Sequence, residues 1–342
     1  MSTETIPRSS PLDALVVGAG PTGLAAAAHL RGHGLSPWVV EEGLVAQTIR
    51  NFPRGVRLFS ARENLALPGL PFPGEPTSSP TREDYLAYLE AAPRRAGLEV
   101  ATNTRAVTIR PREGSHGVVL ANGDGKRYEL TARNVIVASG GYFFPNVLGI
   151  PGEDLPYVHH YFRAELVDEL RRYVVVGGRN SAIEAAVHIA EAGAGVVIVY
   201  HKARLPRSKI KPWLLPRFDR QRRAGRIAVR YRSTPTKIRD GYVHLRGRSA
   251  EDEIEYGDAV FLLTGYGPDY RLLKEAGVRF HRQTGRPLFD PETLETKTPG
   301  IFVCGTVALK IRGEQQTIEN GRDHAAAMLP RITHRVGARR RA

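Results

Sequence analysis

Residues 14–30 read ALVVGAGPTGLAAAAHL, and this stretch decides the fold. The four apolar residues 14–17 have the unbroken hydrophobicity of a strand buried on both faces of a parallel sheet. Gly18, Gly20 and Gly23 follow in GxGxxG spacing, and the Ala-rich run 24–30 is a strong helix former. Gly18 permits the tight turn, Gly20 lets the backbone approach a pyrophosphate, and Gly23 lets helix and strand pack closely. The helix start adds free N–H groups and the positive end of the helix dipole. Val39-Val40 then lead to Glu41, 18 residues beyond Gly23, where an acid accepts hydrogen bonds from an adenosine ribose.

The same grammar recurs further on. Residues 173–176 are an apolar strand, Gly177-Gly178-Arg179-Asn180-Ser181-Ala182 a glycine turn, 183–193 a helix closed by Gly193, and 195–200 a second strand. Arg179 stands where the middle glycine would be, and its charge suits a phosphate. Two such beginnings, roughly 160 residues apart, form an internal repeat and call for two dinucleotides. The second strand runs into His201, Lys202 and Arg204 with no acid. Cations there suit a ribose 2′-phosphate, so NADP(H) is expected over NAD(H).

Composition sets the bounds. A chain of 342 residues suffices for about two domains. Hydrophobic content of 42% with 25% charged residues is that of a soluble globular protein. No apolar run reaches the roughly 18 residues that a bilayer span needs. The start, MSTETIPRSSPLD, lacks the apolar core of a signal peptide, so the cytoplasm is the expected compartment. The single cysteine, Cys304, excludes an intrachain disulfide, a CxxC dithiol and a Cys-rich metal site, and no metal is expected. A net charge of +14 can mark a nucleic-acid or membrane partner. No nucleic-acid module accompanies it, so the charge reads as an arginine-rich surface with an anionic cofactor to hold. The tail GARRRA reads as a solvated end.

Further elements follow from local signals. Thr81 is an N-cap with Asp84 three residues on, and Tyr85, Leu86 and Leu89 are the apolar face of its helix. LEVATNTRAVTIRPRE, GVVLANG and RYELTA read as hairpin strands with NG and DG turns. Residues 135–138 are a strand ending in Ser139-Gly140-Gly141, and Pro145, Pro151 and Gly152 mark a linker. AVFLLTGYGPDY mirrors that strand end at Thr264-Gly265. EQQTIENGRDHAAAML reads as one helix starting near Gln316 or Thr317, its N-terminus suited to an electron-rich carbonyl edge.

Two nucleotide folds in this order resemble the two-dinucleotide-binding-domain flavoproteins, among them thioredoxin reductase and the flavin-containing monooxygenases, from Leu12 to about Leu329. The resemblance implies an α/β protein of two Rossmann-like three-layer domains. A discontinuous FAD domain (1–160 and 290–342) would flank an NADPH domain (165–285). The stretches RLFSARENLALPGLPF, LGIPGEDLPYVHHYF, VVVGGRNSAIEAA, KPWLLP, LTGYGPDY, TGRPLFDPETLET and TIENGRDH are similar to the bacillithiol disulfide reductase family. That likeness implies hydride transfer from NADPH to FAD and on to a low-molecular-weight thiol disulfide.

The resemblance also implies the site. FAD contacts are expected from Gly18, Gly20, Pro21, Thr22 and Gly23, then Glu41, Glu42, Gln47, Asn51 and Ser60. Val107, Ser139 and Gly140 join them, with Gly305, Thr306, Thr317 and Ile318 from the returning segment. NADPH contacts are expected from Gly177, Gly178, Arg179, Asn180 and Ser181, from His201, Lys202 and Arg204, and at Thr264 and Gly265. After TPGIFVCG the family places an Asp that holds the ribityl chain; this chain has Thr306. Family members carry GPCG at the first turn, and that cysteine is the candidate redox thiol. Here GPTG puts Thr22 in its place, which leaves the catalytic residue unassigned. A hydroxyl cannot form a mixed disulfide, so two other enzymes stay open: a flavin-containing monooxygenase, and a reductase of a quinone or other direct acceptor. LPYVHHYF supplies His159 and His160 but not the residues that flank the monooxygenase histidine. An NADP-binding redox sensor without turnover is the reading from another class. The expected partner is a small-molecule disulfide or other acceptor, with no nucleic acid or membrane; a homo-oligomer is left open.

Overall fold

The computed structural model describes residues 11–52, 54–142, 144–247, 253–312 and 314–340. The signal-peptide reading falls on residues 1–10 and the end of the basic tail on 341–342, outside the described residues. Contacts divide the chain into two units, Met1–Phe143 with Pro268–Ala342, and Phe144–Gly267. The division falls upstream of the expected edges near 160 and 285. Its cause is a two-residue antiparallel ladder that ties Phe144-Pro145 to Tyr266-Gly267 and closes the second unit on itself.

The first unit begins with β1 (Ala14–Val17), α1 (Pro21–Gly32) and β2 (Pro37–Val40). Then come α2 (Arg82–Ala96), β3 (Glu99–Ala101), β4 (Thr104–Arg112), β5 (Ser115–Asn122), β6 (Arg127–Ala132) and β7 (Val135–Val137). The second holds β8 (Val158–His159), β9 (Arg172–Val176), α3 (Asn180–Glu191), β10 (Gly195–Tyr200), α4 (Leu214–Arg223) and β11 (Ile227–Tyr231). It ends with β12 (Thr234–Arg239), β13 (Tyr242–Arg246), β14 (Glu253–Tyr256) and β15 (Ala259–Leu262). The chain returns to the first unit through β16 (Ile301–Val303), the single turn α5 (Ile318–Gly321) and α6 (His324–Arg340).

The two parallel sheets share one order. The first runs β16-β7-β1-β2-β3 and the second β8-β15-β9-β10-β11. Each central strand is buried along its whole apolar stretch, as at β1 and at residues 173–176. Only the fifth strand differs in origin: β16 comes from the returning C-terminal segment, whereas β8 comes from near the start of the second unit itself. In each unit helices cover one face and a three-stranded antiparallel sheet covers the other. Leu24, Leu30, Tyr85 and Leu89 pack with Met328 and Ile332 on the helical side of the first sheet. Leu15 and Val137 meet Val118 and Leu120 on the other. Fully burying one such leucine is worth roughly 1.5–3 kcal/mol.

Local readings resolve in detail. Thr81 and Asp84 form a reciprocal capping box, and Tyr85, Leu86 and Leu89 are buried. LEVATNTRAVTIRPRE is two strands, because Asn103 takes a left-handed conformation (φ 50°) between β3 and β4. The NG and DG pairs lie together in one β5–β6 loop, and the β4–β5 turn is Glu113-Gly114. EQQTIENGRDHAAAML is not one helix: α5 stops at Gly321 and α6 begins at His324. The tail is helical as far as Arg340.

Candidate functional site

The first glycine turn is shaped by sterics. Gly18 sits at φ +111°, and a Cβ there would lie 2.5 Å from the Ala138 carbonyl oxygen. A Cβ at Gly23 would lie 1.9 Å from the Gly18 carbonyl oxygen, so α1 and β1 approach only because residue 23 has no side chain. Gly20 differs: a Cβ there meets nothing within 4 Å. The protein leaves space at the N-cap of α1, where no side chain caps the helix and Pro21 stands at its first position. An uncapped helix start beside open space fits a pyrophosphate.

Glu41 is half-buried at the end of β2, and its carboxylate accepts the Ala19 N–H at 2.8 Å and the Gly43 N–H at 3.0 Å. Burial raises its pKa, and the two N–H groups oppose that shift. The remaining lone pairs can accept ribose hydroxyls. Glu42 is exposed and 3.9 Å from Arg105. Gln47 donates to Asn51 Oδ1 at 2.9 Å and accepts the Leu44 N–H, so these two brace their own loop. Ser60 hydrogen-bonds Glu319. Val107 is the extra residue of a β-bulge, since Ala106 pairs with Leu120 and Thr108 with Val119. A bulge frees backbone groups and re-aims side chains, which suits a strand beside a ligand.

The returning segment closes around Thr22. A Cβ at Gly305 (φ +71°) would come within 2.7 Å of Thr22 Oγ1, and one at Gly321 within 2.6 Å. Thr22 is therefore held between the end of β16 and α5. Gly140 (φ +83°) and Gly141 follow the exposed Ser139 and approach Thr306, where a Cβ at Gly141 would lie 3.1 Å from Thr306 Cβ. Thr317 N-caps α5 and shares a capping box with Asn320; Ile318 packs on the helix-side core. Cys304 is wholly buried, and burial pushes its thiol up to about 12. A thiol at that value is not a thiolate at neutral pH.

In the second unit Gly177 has φ +145°, and a Cβ there would lie 2.5 Å from the Leu263 carbonyl oxygen. A Cβ at Gly178 would lie 2.5 Å from the Tyr200 ring. Arg179 is the exposed N-cap of α3, and Ser181 is exposed beside it. The Asn180 Oδ1 accepts the Lys211 N–H at 2.9 Å. His201, Lys202 and Arg204 are exposed directly after β10. Thr264 Oγ1 donates to the Asn146 carbonyl at 2.6 Å, and Gly265 (φ +103°) accepts the Asn146 N–H.

Three residues escaped the sequence reading. His324 Nδ1 accepts the Gly305 N–H at 2.9 Å, and burial lowers its pKa to about 4. The Tyr200 ring forces glycine at 178. Gln316 is 5% exposed, and its Oε1 has no partner among the described residues. TIENGRDH contained His324, but a lone histidine at a helix start carries no spacing signal.

Known proteins resemble this chain along most of its length. The pyridine nucleotide-disulphide oxidoreductase family matches residues 15–305. The bacilliredoxin reductase Bdr of Bacillus subtilis is 34% identical over 94% of this chain and 98% of its own. The structure of the bacillithiol disulfide reductase Bdr of Bacillus cereus superposes with a TM-score of 0.88 at 32% identity, covering 95% of this chain and 100% of that one. A ferredoxin–NADP reductase of Ignicoccus hospitalis is 31% identical over 86% of this chain and 90% of its own.

Proposed function

This chain belongs to the pyridine nucleotide-disulphide oxidoreductase family, and on that premise we propose that it is an NADPH-dependent reductase of a low-molecular-weight thiol disulfide. As a member it is an oxidoreductase that uses FAD and a nicotinamide dinucleotide. The observation that carries the reading is the likeness to Bdr along almost the whole of both chains. In the proposed reaction NADPH, a proton and one disulfide give NADP⁺ and two thiols. When bound, FAD supplies the two-electron relay between nicotinamide and acceptor.

The protein's own groups bind and orient. The open space at Gly20 and the uncapped start of α1 take the FAD pyrophosphate, and Glu41 takes the adenosine ribose. The Val107 bulge, Ser139 and Gly140, and the Gly305-Thr306 and Thr317-Ile318 segments complete that cradle. In the second unit the Gly177-Gly178 turn takes the NADPH pyrophosphate, and Arg179 adds charge beside it. His201, Lys202 and Arg204 pair the 2′-phosphate, which selects NADPH over NADH. The cytoplasm, where NADPH is regenerated and a lone thiol stays reduced, is the compartment this chemistry fits.

Thr22 shapes the last step. It stands where the family carries its candidate thiol, and Cys304 is buried and held protonated. The acceptor therefore takes its electrons without a covalent disulfide to the protein. Thr22 also favours a second reading, a reductase of a quinone or protein acceptor. The test is purified, FAD-loaded enzyme with NADPH and a panel of acceptors. Release of two thiols per NADPH from a small disulfide is the expected result. Turnover with quinones or ferredoxin alone selects the second reading, and substrate-dependent oxygen uptake, a monooxygenase outcome, overturns both.

A further inference from the structure

A pocket of about 250 Å³ opens within the first unit, where residues 279–289 meet the segment that follows Gly305. At about 30 Å³ per water this is room for roughly eight waters, or a small organic molecule. Its lining divides in two. His281 and Arg286 come from one segment, Lys310 and Arg312 from the other, and Leu288, Phe289, Ala308 and Ile311 supply apolar surface. No acidic residue lines the pocket, although Asp290 and Glu292 flank its lining Pro291. Arg312 is paired with Glu292. Among the described residues Arg286 and Lys310 make no ion pair. The His281 Nδ1 accepts the Gln283 and Thr284 N–H groups, both at 3.3 Å, so a neutral ring keeps its proton on Nε2 as a donor.

Unpaired cations on two separate segments, with carbon surface in the same pocket, ask for two anionic groups joined by a short carbon chain. We propose that this pocket binds a small dicarboxylate, with Arg286 pairing one carboxylate and Lys310 the other. The site is separate from both glycine turns. It adjoins the Gly305–Ala308 turn, whose first two residues belong to the proposed FAD cradle.

The experiment is calorimetric titration of the FAD-loaded full chain at low ionic strength with succinate and glutarate, against acetate and inorganic phosphate. One dicarboxylate should bind saturably at one site per chain, at least about tenfold tighter than acetate or phosphate, given the strength of a second charge-assisted contact. Raising salt should weaken it. Arg286→Ala and Lys310→Ala should each weaken binding about tenfold, with FAD content and thermal midpoint unchanged. Phosphate binding as tight as the dicarboxylates, unchanged affinity in both variants, or no saturable binding would each overturn the assignment.

Discussion

Two glycines three residues apart should fail in opposite ways when each becomes alanine. At Gly20 the backbone is extended (φ −76°, ψ −180°), which any residue adopts, and a Cβ meets no protein atom within 4 Å. Gly20→Ala therefore leaves the folded apoprotein unstrained. The smaller entropy of the unfolded chain favours it by about 0.4–1 kcal/mol. The poorer N-cap preference of alanine costs roughly 0.5–1 kcal/mol and offsets most of that. The apo thermal midpoint should move by a few degrees at most. The methyl group does enter the open space proposed for the FAD pyrophosphate. Losing one charge-assisted contact costs about 1.5–3 kcal/mol, so FAD affinity should drop at least about tenfold. Gly23→Ala reverses the pattern. Its Cβ would lie 1.9 Å from the Gly18 carbonyl oxygen and 3.3 Å from Ala138 Cβ, so strand and helix must part. Overpacking of this kind costs about 1–3 kcal/mol or more. The assay strips FAD, records the thermal midpoint by circular dichroism, then titrates FAD back while following flavin fluorescence. FAD binding by Gly20→Ala within twofold of wild type would refute the cradle. A Gly23→Ala apoprotein as stable as wild type would refute the packing argument.

Other expectations follow from the same geometry. Lys202→Glu with Arg204→Ala should raise the KM for NADPH by about tenfold and leave that for NADH nearly unchanged; equal effects on both contradict the 2′-phosphate assignment. Cys304→Ser should retain FAD and NADPH-driven turnover within twofold, and the wild-type thiol should resist thiol reagents in the folded protein at pH 8. Loss of disulfide reduction with FAD still bound would show that Cys304 takes part. Burial lowers His116 and His324 from 6.5 to about 4. Below pH 6.5 the unfolded chain takes up protons that the folded chain refuses, so this stability is complete above pH 6.5 and declines towards pH 4. The thermal midpoint should fall over that window and fall less in His116→Gln; a midpoint that rises on acidification contradicts the burial argument.

The sequence by itself determined what depends on near neighbours. The two strand–glycine–helix beginnings, the Thr81–Asp84 capping box and the apolar central strands rest on contacts within a few residues or on one-dimensional periodicity. The cations after β10 and the exchange at Thr22 were legible as residue identities. The tertiary structure alone decided what depends on chain-distant groups meeting. Only the packed fold shows that Gly305 and Gly321 close on Thr22, nearly 300 residues away, or that the Tyr200 ring dictates glycine at 178. That the Asn180 Oδ1, in the second glycine turn, accepts the N–H of Lys211 is likewise visible only in the fold. The helix expected from Gln316 onward breaks at Arg322-Asp323, directly after Asn320-Gly321, a turn dipeptide that the expectation of one helix passed over. The Val107 bulge follows from the pairing register of β4 on β5, a property of two strands together that neither strand's sequence contains.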